Sequence, residues 1–194
     1  MLKKMSACVL FFGIMYPLSA MADDSLVKFK GGIGVHPVSN IAGDAVVINN
    51  VTTFPNVTRN VVRGVNPAGQ IWVIADLRAD VKADGLGSIK VRGKGLLLAG
   101  GNGIGGNANA SVFATLICQV TAADGTVTFT LHNTDSDNLT AGIQGVPLEP
   151  NGDFKIDDTL DPAPLACASP VLLIRNAANQ TWFAAGIPDL GNDD

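Results

Sequence analysis

Apolar and charged residues alternate most regularly between Ile71 and Lys82. Every odd position in this stretch is apolar, whereas the even positions are mostly charged. Alternation with a period of two puts one side of an extended chain in a core and the other side in water. The pattern therefore predicts a β-strand over Ile71–Lys82 with one face exposed to solvent.

A turn centred on Gly85 follows this strand, and charged residues then return at every second position. A hairpin folded at that turn places Lys90 opposite Asp80 and Lys94 opposite Asp76. Opposite charges on facing residues stabilise a pair of strands, so they favour this register over a shifted one. The same register brings two arginines face to face, which is unfavourable by the same argument.

Ser111–Val120 is apolar on both faces, which is typical of a strand with neighbours on both sides. Asp124 and Gly125 then form a turn signal, because glycine tolerates the positive φ that tight hairpins require. With a two-residue loop, Cys118 is predicted to lie opposite Leu131 on the buried side of the hairpin.

Two further hairpins are predicted in the last third of the chain. Pro150-Asn151-Gly152 suits a three-residue loop with Gly152 in the left-handed conformation. Pro170–Arg175 and Thr181–Ile187 are predicted to pair through the turn between them. Many short strands separated by turns predict an all-β fold, a single-domain antiparallel β-sandwich, with a barrel or a jelly-roll-like variant as the alternative.

The N-terminus has the order of a cleavable signal peptide. Lys3 and Lys4 precede an apolar run that is too short to span a bilayer, and Ala20-Met21-Ala22 follows it as a cleavage pattern. Residues 1–22 are therefore predicted to be a signal peptide and residues 23–194 a single all-β domain. This predicts a soluble protein, secreted or periplasmic, with no membrane insertion after cleavage.

Charge and cysteine content narrow the function further. The chain carries a formal net charge of −4, which becomes more negative once the two N-terminal lysines are removed. A negative domain has no electrostatic attraction for nucleic acid, so we expect none as a partner. After cleavage, Cys118 and Cys167 are the two cysteines left, and in an exported chain they are predicted to form a disulfide.

Two motifs are candidates for ligand binding. Asp135 and Asp137 place carboxylates at alternate positions of a polar loop, which makes them candidate calcium ligands. The loop lacks the glycine and the closing glutamate of an EF-hand, and the alternative is a solvated loop. A G-x-G-x-x-G motif at Gly101, Gly103 and Gly106 leads into a β-type segment rather than a helix, which favours a surface loop over a dinucleotide site. No cofactor other than calcium is indicated.

The chain has two histidines, His36 and His132, and neither accompanies a nucleophile motif such as G-x-S-x-G. His132 ends a threonine-rich strand face and is predicted to be exposed, whereas His36 lies in a glycine-rich segment. No complete catalytic constellation is present, so a binding or structural surface role, with an unknown ligand or protein partner, is the favoured function. The alternative is an exported hydrolase that uses His36 or His132 with nearby aspartates.

Overall fold

The structure is a computed structural model, and it describes residues 24–37, 39–41, 46–53, 57–134 and 144–191. Within these residues the regular structure is β-strand, apart from one short 3₁₀ turn at Gly101–Gly103. The strands are Ser25–Gly34 (β1), Ser39–Ile41 (β2), Val46–Ile48 (β3), Val51–Thr53 (β4), Val57–Arg59 (β5), Trp72–Val73 (β6), Asp76–Lys82 (β7), Ser88–Lys94 (β8), Leu97–Leu98 (β9), Ser111–Thr121 (β10), Val127–Asn133 (β11), Val146–Pro147 (β12), Phe154–Thr159 (β13), Ala168–Asn176 (β14) and Trp182–Pro188 (β15).

One large antiparallel sheet dominates the described residues. Its strand order is β11-β10-β14-β15-β1-β7-β8-β13, and the short β12 adds to β10. The sheet curls into a half-barrel, while three small two-stranded ladders, β2–β5, β3–β4 and β6–β9, lie outside it. The all-β prediction is confirmed, but the described residues show one curled sheet and do not bear out the two facing sheets of a sandwich.

The hairpin of β7 and β8 has the predicted register. Asp76 pairs with Lys94, and Asp80 pairs with Lys90. The inward residues of both strands are buried, so the exposed and buried faces also agree with the predicted alternation. The predicted strand from Ile71 is nevertheless interrupted before Asp76, because β6 pairs with β9 instead of continuing the main sheet.

Because of that interruption, the buried and the exposed positions of β6 are exchanged relative to the prediction. Trp72 is buried and Val73 is exposed, which is the opposite of what an unbroken alternation from Ile71 predicts. Gly34 lies beside this segment, where an added Cβ would come 2.1 Å from the carbonyl oxygen of Trp72. The close approach of β1 therefore holds β6 outside the main sheet. Trp72 and Trp182 are both buried, as is usual for large aromatic side chains.

The hairpin of β10 and β11 is present, but the predicted register is wrong by one residue. Cys118 pairs with Thr130, because the loop inside the hydrogen bond from the Ala122 N–H to the Thr126 carbonyl contains three residues rather than two, with Gly125 at φ +85°. The apolar face of the hairpin is also not buried close to the loop, since Phe129 remains 42% exposed. β14 begins at Ala168 opposite Gln119, so beyond the pair of Gln119 and Phe129 the hairpin extends past β14.

The two remaining hairpins differ in how far they pair. β14 and β15 form the predicted C-terminal hairpin. Gly152 adopts the expected left-handed conformation at φ +81° in a loop closed between Glu149 and Asp153. Beyond that loop the two arms separate, since β12 pairs with β10 and β13 pairs with β8.

The predicted disulfide is present. Cys118 and Cys167 are bonded, with their Cα atoms 4.8 Å apart, and the bond joins β10 to the start of β14. It lies at the irregularity between Ile117 and Gln119 where the ladder of these strands shifts. The bond thus ties the β10–β11 hairpin to the C-terminal hairpin, as expected from the sequence.

Candidate functional site

A cavity of about 460 Å³ opens at the end of the sheet where β10 begins and β14 turns into β15. None of the described residues that line it is charged. Its polar lining consists of five amide side chains and two hydroxyls: Gln70, Asn109, Gln144, Asn176, Asn179, Ser111 and Thr181. Pockets with an apolar base and a few converging polar groups are the usual form of a small-molecule site. We call this cavity the amide pocket.

Two stacked aromatic rings form the apolar part of the amide pocket. The rings of Trp72 and Phe183 have centroids 4.0 Å apart and an interplanar angle of 21°. The backbone of Val35 joins their strands, since its N–H donates to Phe183 and its carbonyl accepts from Trp72. Both aromatic side chains are buried, so this part of the pocket is fixed by the core before any ligand arrives.

The turn between β14 and β15 forms one rim of the pocket. The Asn176 Oδ1 accepts the N–H of Ala178 at 2.7 Å, and the Asn179 Oδ1 accepts both the N–H and the hydroxyl of Thr181. The two amide oxygens therefore shape the turn. The Nδ2 groups of Asn176 and Asn179 make no hydrogen bond within the described residues and are available as donors.

The segment before β10 forms the facing rim. Ala108 and Asn109 both have positive φ, at +52° and +48°, although neither is glycine. The side chain of Asn107 stabilises this conformation by donating to the carbonyls of Leu148 and Glu149 and by accepting from the N–H of Asn109. Left-handed non-glycine residues cost free energy and concentrate at functional sites. Their presence at the rim supports the choice of this cavity.

Arg175 supports the turn from below. Its side chain is buried, lies over the ring of Phe113 at 5.0 Å, and donates from Nε to the carbonyl of Gln180 at 2.8 Å. Its Nη1 also donates to the hydroxyl of Thr115 at 3.2 Å. Burial lowers the pKa of the Arg175 guanidinium to about 10, because desolvation disfavours the charged form. Gln180, held in this way, keeps a left-handed φ of +59° at the rim.

The two histidines lie apart from the amide pocket. His132 is buried, so the prediction that it is exposed is wrong, and its Nδ1 hydrogen-bonds the carbonyl of Pro162. His36 is exposed, and its carbonyl accepts from the side chain of Asn60. Within the described residues neither histidine hydrogen-bonds an aspartate, and the hydrolase alternative stays a prediction.

The candidate calcium ligands Asp135 and Asp137 lie outside the described residues, so the calcium site also stays a prediction. Among the residues that the structure does describe, no group of three or more metal-ligating side chains comes together. In the same residues, no helix has the length and hydropathy to cross a bilayer.

The glycine motif forms a closed loop rather than a nucleotide cradle. After the 3₁₀ turn, the N–H of Gly105 donates to the carbonyl of Leu98, and the N–H of Leu98 donates to the carbonyl of Gly106. The chain then runs through a bend into β10, as expected from the sequence. These N–H and carbonyl groups are hydrogen-bonded to one another, so they do not point at a phosphate site.

The residues of the amide pocket were not predicted as a site, although the sequence contains a usable signal. Asn107, Asn109, Asn176 and Asn179 occupy two loops that flank the ends of predicted strands. Only the pairing of β10 with β14 brings the two loops together. Comparisons with family models, with curated proteins and with solved structures found no match, so the assignment of this site depends on its geometry.

Proposed function

We propose that this chain is an exported binding protein whose amide pocket holds a small, uncharged ligand rich in hydroxyl or amide groups, such as a short neutral saccharide. The observation that carries the proposal is the lining: amides and hydroxyls around two buried rings, with no charged group among the described lining residues. Amide side chains donate and accept, which suits hydroxyl groups that also do both. An ionic ligand would find no counter-charge among the described lining residues.

The rest of the molecule is consistent with this role. The rims are held by side-chain to backbone hydrogen bonds, so little ordering free energy is spent when a ligand binds. The disulfide fits an oxidising compartment such as the periplasm or the extracellular space, where the predicted signal peptide would deliver the chain. The favoured activity is binding, since the described lining residues bring amides and hydroxyls together and include no histidine or carboxylate.

Isothermal titration with neutral cello-, xylo-, malto- and chito-oligosaccharides tests the proposal. We expect at least one series to bind, and expect Gln70→Ala and Asn109→Gly each to weaken that binding about tenfold, the equivalent of one good hydrogen bond. Glycine at position 109 retains the left-handed backbone, so the second change removes only the amide.

Gln119→Ala is the matched control, because Gln119 carries the same amide on β10 but does not line the pocket. It should bind like the unaltered protein. Absence of binding across all four series would overturn the ligand class. An equal loss in the Gln119 variant would overturn the assignment of the site.

A further inference from the structure

The outer face of β1, β7, β8 and β13 carries a straight row of four cations. Lys30 pairs with Arg78, Arg78 pairs with Arg92, and Arg92 pairs with Lys155, so that one basic residue from each strand faces the next. We call this set the cationic row. Strands lie about 4.8 Å apart, so the row extends over roughly 14 Å.

In the adjacent row of residues on the same face, charges of opposite sign face one another. There, Lys28, Asp80, Lys90 and Asp157 face one another in turn, and their charges alternate in sign. Alternating charges stabilise a sheet, whereas like charges on facing residues destabilise it. The cationic row therefore works against the fold, while the row next to it supports the fold.

Arg92 lies inside the cationic row, between Arg78 and Lys155. It makes no ion pair or hydrogen bond within the described residues, whereas its neighbours Arg78 and Lys155 contact Asp76 at 3.3 Å and Asp157 at 3.8 Å. The Arg78 side chain remains 67% exposed in spite of that contact. Two guanidinium groups are thus held side by side at the surface, and guanidinium forms strong bidentate bonds with carboxylate and sulfate-like anions.

Two cavities adjoin this pair of arginines. One, of about 270 Å³, is lined by Lys30, Arg78 and Arg92 among others, and a second of about 260 Å³ is lined by Arg78, Arg92, Lys94 and Asp76. Arg78 and Arg92 line both, so the arginine pair lies between two shallow cavities.

We infer that the cationic row binds a linear anionic glycan, in which successive sugars carry carboxylate or sulfate groups, lying across the four strands. A thin chain matches one line of cations bordered by aspartates, because those aspartates would repel a broad anionic surface such as a membrane. A repeating charge at about the spacing of a sugar ring also suits cations that repeat at the spacing of strands. This inference concerns a different surface from the amide pocket and does not depend on it.

Nucleic acid is the less favoured polyanion. The outward side chains of these four strands include no aromatic residue in the described part of the chain, so bases would find no stacking platform. The formal net charge of −4 also provides no long-range attraction for a highly charged polymer. An anionic glycan needs only the local row.

Binding at low ionic strength to oligogalacturonides and to sulfated dextran oligosaccharides tests the inference, with neutral dextran as the uncharged probe. We expect one of the two anionic probes to bind, and its identity distinguishes carboxylate from sulfate. The double variant Arg78→Gln and Arg92→Gln should weaken that binding about tenfold or more and make it less sensitive to salt.

Lys82→Gln is the matched control. Lys82 lies on the same strand and face as Arg78, but it pairs with Asp80 at 2.9 Å and lines neither cavity. Its loss should change glycan affinity by no more than about twofold. Melting temperatures and circular dichroism of all variants establish that they are folded.

Three outcomes would overturn the inference. One is the absence of binding to both anionic probes, and another is an equal loss in the Lys82 and double-arginine variants, which would indicate net charge rather than the row. The third is a single-stranded oligonucleotide or an anionic phospholipid vesicle that binds more tightly with the same dependence on Arg78 and Arg92. The Gln70→Ala variant should bind the anionic glycan normally, which separates this result from that of the amide pocket.

Discussion

The two ends of the curled sheet are stabilised in different ways. At one end, β10 is buried on both faces over most of its length, β14 is buried on both faces from Leu172 to Arg175, and a disulfide joins β10 to the start of β14. At the other end, β7, β8 and β13 bury alternate residues only, and their outer faces carry charges in register. The apolar end thus depends on burial and a covalent link, whereas the charged end depends on alternation and on side-chain pairs.

This difference separates stability from recognition. The apolar end contains the pocket without charge, framed by loops that the core and Arg175 hold in place. The charged end contains a row of cations that weakens the sheet. We therefore expect substitutions at the first end to cost stability and substitutions in the cationic row to increase it.

The largest effect should come from the disulfide at the apolar end. Its closed loop of 49 residues predicts a loss of about 4 kcal/mol in the double variant Cys118→Ala and Cys167→Ala, from the entropy that the unfolded chain regains. Thermal or urea unfolding measures this loss. Strong reductant should lower the melting temperature of the unaltered protein and leave the variant unchanged, so equal melting temperatures for the two oxidised proteins would contradict the assignment.

A smaller loss is expected from Arg175→Met, which tests whether the buried cation supports the apolar end. Methionine fills similar space but leaves the carbonyl of Gln180 and the hydroxyl of Thr115 without their donor, at a cost of about 2 kcal/mol. Arg175→Lys keeps the charge over the Phe113 ring and should lose less. Urea unfolding compares the three proteins. A methionine variant as stable as the unaltered protein would show that packing alone is sufficient.

The smallest effect should have the opposite sign. Arg92→Gln removes two facing like-charge pairs, with Arg78 and with Lys155, and should stabilise the fold by about 0.5 kcal/mol at low salt. Added salt should abolish the gain, because it screens the repulsion between exposed charges. Thermal unfolding with and without salt measures it. A destabilised variant would mean that Arg92 supports the sheet rather than a ligand.

The same contrast explains what the sequence could predict. The register of β7 with β8 was predicted because Asp76 and Asp80 each have a facing lysine, and a shift of one residue would break both pairs. Neutral β10 and β11 provide no such signal. Their register depends on whether the loop at Gly125 has two or three residues, and an Asp-Gly turn is compatible with both.

The candidate sites depend on contacts between residues that are distant in sequence, and local hydrophobic patterns do not indicate such contacts. The disulfide was predictable because two cysteines remain after the expected cleavage, whereas His132 is buried and hydrogen-bonded to Pro162, 30 residues along the chain. The amide pocket needs the loop at Asn109 to meet the turn at Asn179, and no periodicity within either loop indicates that meeting. Alternation specifies faces within a strand, and only the strand order specifies which loops become neighbours.

Within the described residues the half-barrel has two edge strands, β11 and β13, and apart from the pairing of Asn133 with Asp161 they differ in their protection against self-association. The edge strand β13 carries Lys155 and Asp157, and charges of this kind discourage pairing with a second molecule. The edge strand β11 presents uncharged residues, with Val127 and Phe129 exposed. Arg63, whose guanidinium lies 4.7 Å from the Phe129 ring centroid, then acts as a gatekeeper, and its loss should favour aggregation that begins at this edge.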